Sequence, residues 1–370
     1  MGFLDFLFYG FVTIVFIQSI YYLLFFGRFA FSKQKKTTPL NIAVSVIICA
    51  KNEAENLNSF LPLIIDQEYP DFEVVLINDA SNDNTLDVIE HFSKLHSNIK
   101  IVNVKSNEAF WGNKKYALTL GIKAAKNDYL LFTDADCKPA SNHWLKEMSA
   151  NFSNKKSIIL GYGAYIKNKN SLLNKLIRFE TFITAINYFS FAKSGVPYMG
   201  VGRNLAYTKK AFFDANGFIN HIKIRSGDDD LFVNQIATPQ NTTICFSKES
   251  FTESIPKATF ADWYKQKRRH VSTAKHYKTN HKLLLSLLYT SNLLFWLFAI
   301  ILLVILFSWK MVLSLFVFRI VLQYTILWMS SKKLGETDVL FYLPFLEIFL
   351  IIVQLTIFIN NLISKPNHWK

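Results

Sequence analysis

Between Val44 and Asp136 the chain alternates short apolar runs with longer polar stretches of helical period. The apolar runs are Val44–Ala50, Phe72–Asn78, Ile99–Val104 and Tyr129–Thr133. Runs of this length and continuity predict strands buried on both faces, the mark of a parallel sheet. The stretches between them predict helices over 53–66, 84–95 and 114–125, and Val88, Ile89 and Phe92 line one face of the second. This βαβα rhythm predicts an α/β fold with a mostly parallel sheet. Beyond Asp136 the pattern loosens. Ser157–Tyr165 predicts one further strand, and Ser171–Ala192 an amphipathic helix with Lys175, Arg178 and Glu180 on its polar side. That helix suits either a core cover or a membrane surface. Gly195–Asn204 reads as a glycine-rich loop.

A different pattern marks the two ends. Phe6–Phe26 is an almost unbroken apolar run of about the length that crosses a bilayer core, with no basic region before it and no small-x-small cleavage site after it. It is expected to be an uncleaved anchor. Three more candidate spans follow near the C-terminus: Leu283–Phe307, Met311–Met329 with Arg319 inside it, and Val339–Ile363 with Glu347 inside it. Basic residues cluster after the first span (Arg28, Lys33, Lys35, Lys36), before the second (Lys275, Lys278, Lys282) and between the third and fourth (Lys332, Lys333). The positive-inside rule puts all three clusters in the cytoplasm and leaves Lys365 and Lys370 outside. The expected domains are an anchor over 1–31, a cytoplasmic domain over 32–282 and three spans over 283–370, in an inner (plasma) membrane of bacterial type.

Composition agrees: 51% of the 370 residues are hydrophobic and 35 are Phe, too apolar for an ordinary soluble protein. The formal net charge of +14 is concentrated beside the spans, which favours anionic lipid over nucleic acid as its partner. The three cysteines, Cys49, Cys137 and Cys245, show no metal-ligand spacing and are expected to be reduced packing residues.

The candidate chemistry lies where the strands stop. Tyr129–Thr133 ends at Asp134 and Asp136, two carboxylates at i, i+2 that project to one side of an extended backbone. A hard divalent cation can bridge such a pair to a phosphate. An Asp-x-Asp at a strand end is more often a solvated turn or a cap. Its company changes the weighting: Lys51-Asn52-Glu53 and Asp79 fall at the ends of two other strands, where open α/β sheets bind ligands.

In order along the chain, these residues resemble the membrane-integrated family 2 glycosyltransferases, the group of cellulose, chitin and hyaluronan synthases and ceramide glucosyltransferase. Ser45–Glu53 looks like the opening strand and loop that hold the donor's base and ribose, which assigns Lys51 and Glu53 to donor binding. Ile77–Thr85 is similar to Asp-Asp-x-Ser-x-Asp-x-Thr, with Asn78 in place of the first Asp, Asp79 as the nucleobase carboxylate and Asp83 as a cap for the next helix. Gly112–Leu118 resembles Gly-Lys-x-x-Ala-Leu with one residue shifted, which points to Lys114 near the diphosphate and leaves Lys115 on a solvated helix face. Asp134 and Asp136 match the Asp-x-Asp that binds Mg²⁺ or Mn²⁺. Ser226–Leu231 resembles Gly-Asp-Asp, with Asp229 in the place of the general base. Gln266–His270 looks like Gln-x-x-Arg-Trp, with Arg269 clamping the leaving diphosphate and His270 where Trp usually lies against the acceptor sugar.

The resemblance implies a GT-A-like Rossmann-type domain and a metal-dependent inverting transfer from a nucleotide-sugar donor, UDP-linked, to a lipid-linked or membrane-proximal glycan acceptor. The expected site comprises Asp229, Arg269 and Gln266 for catalysis, Lys51, Glu53, Asp79, Lys114 and Asp134 for the donor, and Asp134 and Asp136 for the metal. A processive polysaccharide synthase is the alternative within this class. Outside it stand a membrane transporter built on Arg319 and Glu347, which leaves the soluble motifs unexplained, and a donor-binding protein without catalysis.

Overall fold

The computed structural model describes residues 2–34, 41–105, 114–224 and 226–364. Lys35, Lys36, Gly112, Asn113, Lys365 and Lys370 lie outside the described residues. Contacts divide the chain into two units. One holds Gln34–Asn168 and Pro197–Ala258, and the other Met1–Lys33, Lys169–Val196 and Thr259–Pro366. Residues 169–196 and 259–282, within the cytoplasmic stretch of the sequence reading, thus group with the candidate spans.

The first unit is built on strands β1 (Val44–Ala50), β2 (Phe72–Asp79), β3 (Ile99–Val104), β4 (Tyr129–Phe132), β5 (Cys137–Pro139), β6 (Ile158–Leu160), β7 (Gly163–Tyr165), β8 (Leu205–Thr208), β9 (Thr242–Ile244) and β10 (Thr252–Ser254). Among the described residues, seven of them form one sheet in the order β3-β2-β1-β4-β8-β6-β9 and three another in the order β5-β10-β7. β3, β2, β1 and β4 run parallel, with Val44 of β1 opposite Phe72 and Tyr129. β8 is antiparallel to both β4 and β6, so the sheet is mixed at that end.

Alternation along β1 explains the layers. Val44, Val46, Ile48 and Ala50 join Leu57, Leu61 and Ile64 of the Ala54–Ile65 helix in one core cluster. On the other face the Lys114–Ala124 helix lies so close that a Cβ on Gly121 would sit 2.2 Å from Ile77 Cδ1. The expected single strand over 157–165 is instead two, β6 and β7, in different sheets. The chain changes sheets at Gly161, where a Cβ would sit 2.5 Å from Asn204 Cγ.

In the second unit, among the described residues, four helices are long and apolar enough to cross a membrane: Phe3–Ala30, Thr279–Val304, Trp309–Leu334 and Thr337–Ile363. Their polar side chains face one another. Arg319 is fully buried; it donates to Glu347 at 2.7 Å, to Gln18 at 2.6 Å and to Gln323 at 2.5 Å. Asn292 accepts from Gln18 and Trp296 donates to Glu347. Arg319→Leu leaves Glu347 buried without its cation, and one-sided removal of such a pair costs about 3–5 kcal/mol. We expect a clear fall in the thermal midpoint of the detergent-solubilised protein. Arg319→Leu with Glu347→Leu should recover part of it, because no buried charge is then stranded.

The Leu172–Lys193 helix matches the expected one, yet its polar side is not solvated. Arg178 is buried against Glu336 and Asp338, and Glu180 pairs with Lys267. Buried charges are held only where such partners exist, so this helix covers a core.

Candidate functional site

Three of the parallel strands of the first unit, β1, β2 and β4, deliver polar groups at their C-terminal ends. After β1, Asn52 takes a left-handed backbone (φ 55°), and after β2, Ala80 does the same (φ 49°). Asn tolerates that region while Ala is strained in it, and such strain tends to be kept at functional sites. The two loops are stitched together: Asn52 N donates to Ser81 Oγ, Asn52 Oδ1 accepts from Asn82 N, and Glu53 N donates to Thr85 Oγ1. Asp83 accepts from Thr85 N at 3.0 Å, but it stands one residue before the N-cap of the Thr85–Leu95 helix, which is Asn84, so it braces the turn into the helix instead of capping it as expected. Asn78 turns sideways to Asn103 on β3.

Asp79 lies at the end of β2, 3% exposed, and its Oδ2 has no hydrogen-bond partner among the described residues. Burial raises its pKa, and the nearby Lys51 and Lys114 ammonium groups oppose that rise. A buried acceptor left open in this way suits a ligand N–H. Glu53 is also buried and accepts from Asn56 Nδ2 at 2.6 Å.

A cleft of about 330 Å³, open solvent included, is lined by Cys49, Lys114, Asp134, Gly202, Asp228 and Asp229 among others. Lys114 spans it, 2.8 Å from Asp134 Oδ1 and 3.2 Å from Asp228 Oδ2. These carboxylates hold the Lys114 ammonium well above its ordinary pKa against the opposing effect of burial. Asp134, Asp136 and Cys137 place one ligand atom each within 4.8 Å of one another. Burial and the Asp136 and Asp134 carboxylates push the Cys137 thiol well up, and its Sγ is 3.0 Å from Ser254 Oγ. A neutral thiol is a poor ligand for a hard ion, so the donor set is in effect two carboxylates, which fits Mg²⁺ or Mn²⁺.

Asp229 caps the Asp230–Ile236 helix: its Oδ1 accepts from Asp230 N and its Oδ2 from Gly202 N, both at 2.7 Å. Burial, then the Asp228 and Asp230 carboxylates, push its pKa up to about 7, and the two N–H donors restrain the shift. A carboxylate has about four acceptor positions, so two remain for other partners.

The structure thus brings Lys51, Glu53, Asp79, Lys114, Asp134, Asp136 and Asp229 together in one unit. Gln266 and Arg269 belong to the other, on the Phe260–Val271 helix, where His270 is exposed. Lys115 corrects the sequence reading. It is fully buried rather than solvated, because it shares the inward face of its helix with Leu118 and Ile122. Sequence reasoning also passed over Arg203, which lies over the Tyr165 ring at 4.3 Å and donates to Ala164 O and Ser254 Oγ. Its one local signal was the Gly202-Arg203-Asn204 run in the glycine-rich loop.

A mostly parallel α/β sheet with acidic residues and a lysine at its strand ends has the form of a GT-A-like domain. The profile described as Glycosyl transferase family 2 matches residues 45–213, and that described as Glycosyl transferase family group 2 matches residues 130–354, more than half of the chain. The chain belongs to the family 2 glycosyltransferases. It is similar to the poly-beta-1,6-N-acetyl-D-glucosamine synthase of Staphylococcus epidermidis, 32% identical over 37% of this chain and 32% of that protein. It is also similar to the cholesterol galactosyltransferase of Borreliella burgdorferi, 33% identical over 25% of each. These matches span only about a third or less of those relatives' length. A mannosyltransferase from Pyrobaculum calidifontis, solved with GDP-Man and Mn²⁺, shares the fold with a TM-score of 0.56 at 16% identity, over 87% of this chain and 98% of that one.

Proposed function

We propose that this chain is an inverting glycosyltransferase. It moves a sugar from a nucleotide-sugar donor, UDP-linked by its motifs, to a lipid-linked or membrane-proximal glycan acceptor. The observation that carries the reading is Asp229, a carboxyl pushed up to about 7 on the wall of the cleft that Asp134 and Lys114 also line. A group titrating there accepts a proton from a hydroxyl more readily than an ordinary Asp. Asp229 takes the acceptor's proton as its oxygen attacks the anomeric carbon, and the configuration inverts in one displacement. Asp79 offers its open carboxylate oxygen to the nucleobase, with the Lys51 ammonium nearby, and Glu53 is assigned to the donor with them. Lys114 neutralises diphosphate charge. Asp134 and Asp136 would hold Mg²⁺ or Mn²⁺, which supplies Lewis-acid stabilisation to the leaving group. The motif assigns Arg269 to the leaving diphosphate and Gln266 to catalysis.

The basic clusters support a topology of four spans with the catalytic unit in the cytoplasm, and a bacterial inner membrane is proposed with it. The test is a donor screen in nanodiscs with Mn²⁺, following nucleoside diphosphate release with and without acceptor fractions. No acceptor-dependent release with any donor would overturn the proposal.

Single transfer is favoured over chain extension. Gln18, Asn292, Arg319, Gln323 and Glu347 hydrogen-bond one another, so these five polar groups are engaged internally rather than lining a sugar path. His270 also offers a weaker stacking surface than Trp. Radiolabelled donor should therefore give a product one sugar longer than the acceptor; a ladder or polymer would show processive synthesis, as the name of the staphylococcal relative describes for that protein.

A further inference from the structure

Lys115 is a cation in the wrong place for its neighbours on the helix. It follows the Lys114 assigned to the donor, yet its side chain enters the core and is 0% exposed. Its ammonium donates to three backbone carbonyls, those of His221, Ile224 and Ser226, each at 2.8 Å. A lysine ammonium has three N–H donors, so this triple contact can use all of them. Burying a charge is costly unless it is fully hydrogen-bonded. An apolar side chain would avoid that cost but leave three carbonyls without this donor.

What the three carbonyls have in common is the segment they belong to. It ends at Gly227, whose left-handed backbone (φ 90°) turns the chain into Asp228 and Asp229. A side chain at Gly227 would be strained there, and its Cβ would sit 2.5 Å from Leu231 Cδ1. The path into Asp229 is therefore held at two points, by the ammonium before the turn and by the glycine within it. The next residues complete the grip, with Asp229 capping its helix and Asp228 meeting Lys114. Burial pulls the Lys115 ammonium down to about 8, while the Asp228, Asp230 and Asp229 carboxylates act to raise it, so at neutral pH it carries its charge.

We propose that Lys115 is a positioning residue for the transfer reaction: by holding the carbonyls of His221, Ile224 and Ser226 it fixes the Asp229 carboxylate relative to the donor site that Lys114, one residue earlier, helps to form. The proposal rests on the assignment of Asp229 as base. Adjacent residues on one helical turn thereby tie the two halves of the chemistry together, Lys114 to the diphosphate side and Lys115 to the acceptor side. Displacement of a reacting group by about 1 Å can cost on the order of 100-fold in rate, which sets the scale of the expected effect.

The test compares wild type, Lys115→Met and Lys115→Arg in nanodiscs with UDP-sugar donor, Mn²⁺ and acceptor. For Lys115→Met, kcat for acceptor-dependent transfer should fall by roughly 10- to 100-fold, with UDP affinity and donor KM unchanged. Hydrogen exchange should rise in the 219–231 segment and not across the sheet. Lys115→Arg keeps the charge and should recover part of kcat. A merely structural role predicts a lower thermal midpoint with unchanged kcat per UDP-binding molecule, and that result overturns the proposal. Exchange rising equally everywhere does so too. Should Lys115→Met fail to bind UDP, Lys115→Arg decides: lowered kcat at unchanged donor KM supports the proposal, and wild-type kcat overturns it. Wild type that transfers no sugar would instead defeat the assignment of function.

Discussion

Asp229→Asn is expected to lower acceptor-dependent transfer by about 10²- to 10⁴-fold, the usual contribution of a positioned general base, while nucleoside diphosphate affinity is retained. The amide is nearly isosteric and Asn caps helices as well as Asp does. It keeps an oxygen for the Asp230 N–H but turns an NH₂ toward the Gly202 N–H, so some local adjustment follows. The proton-accepting function is what disappears. The pH profile separates the two effects. A base works in its ionised form, and Asp229 titrates at about 7 because burial and the Asp228 and Asp230 carboxylates disfavour its charge. Wild-type kcat/KM should therefore rise with pH through about 7 and fall roughly tenfold per unit below it. In the variant the residual rate should lack that limb. A limb that survives the substitution unchanged would place the base elsewhere.

Much of this site is legible in sequence because the residues that form it stand at the ends of strands that announce themselves. β1 coincides with the apolar run Val44–Ala50, since a strand buried on both faces has few polar residues to blur its edges, and β3 coincides with Ile99–Val104 although Lys100 and Asn103 are exposed on this edge strand. The polar residue that stops each run then sits at the sheet's ligand-binding edge, as Asp79 and Asp134 do. Lys115 was misread for the opposite reason. A charged residue beside another on a short helix looks solvated, although 115, 118 and 122 share a helical stripe with i, i+3 and i+7 spacing. The period carried the signal and residue type hid it. For Arg178 and Glu180 the sequence left a core cover and a membrane surface both open, because their partners Glu336 and Lys267 lie far along the chain. Nor can a local pattern reveal that Gly161 parts two sheets, which depends on Asn204 filling the space above it. There Asn204 accepts from Trp144 Nε1 and donates to Tyr162 O and Ser250 O, fixing the start of β8 next to the Gly202 N–H that Asp229 uses.

Asp136→Ala should abolish the response to divalent ions, with a loss of transfer of about 10²- to 10⁴-fold, since a Lewis acid at the leaving diphosphate supplies several kcal/mol. Asp134→Ala is expected to behave differently. Asp134 also holds Lys114, which meets Asp228 as well, so its removal shifts the ammonium toward Asp228 and should raise the donor KM as well as weaken metal binding. Cys137→Ser supplies the contrast within the same cluster. If two carboxylates are the ligands for a hard ion, exchanging the neutral thiol for a hydroxyl should leave Mn²⁺ affinity and turnover close to wild type. Mn²⁺ binding in the presence of UDP, measured by electron paramagnetic resonance on each variant, separates ion affinity from rate. Transfer by wild type that persists after chelation, or Asp136→Ala with full activity, would remove the ion from the mechanism. A Cys137→Ser variant that alone loses Mn²⁺ would move the ligand set onto sulfur, which a site built for a diphosphate-bound hard cation does not predict.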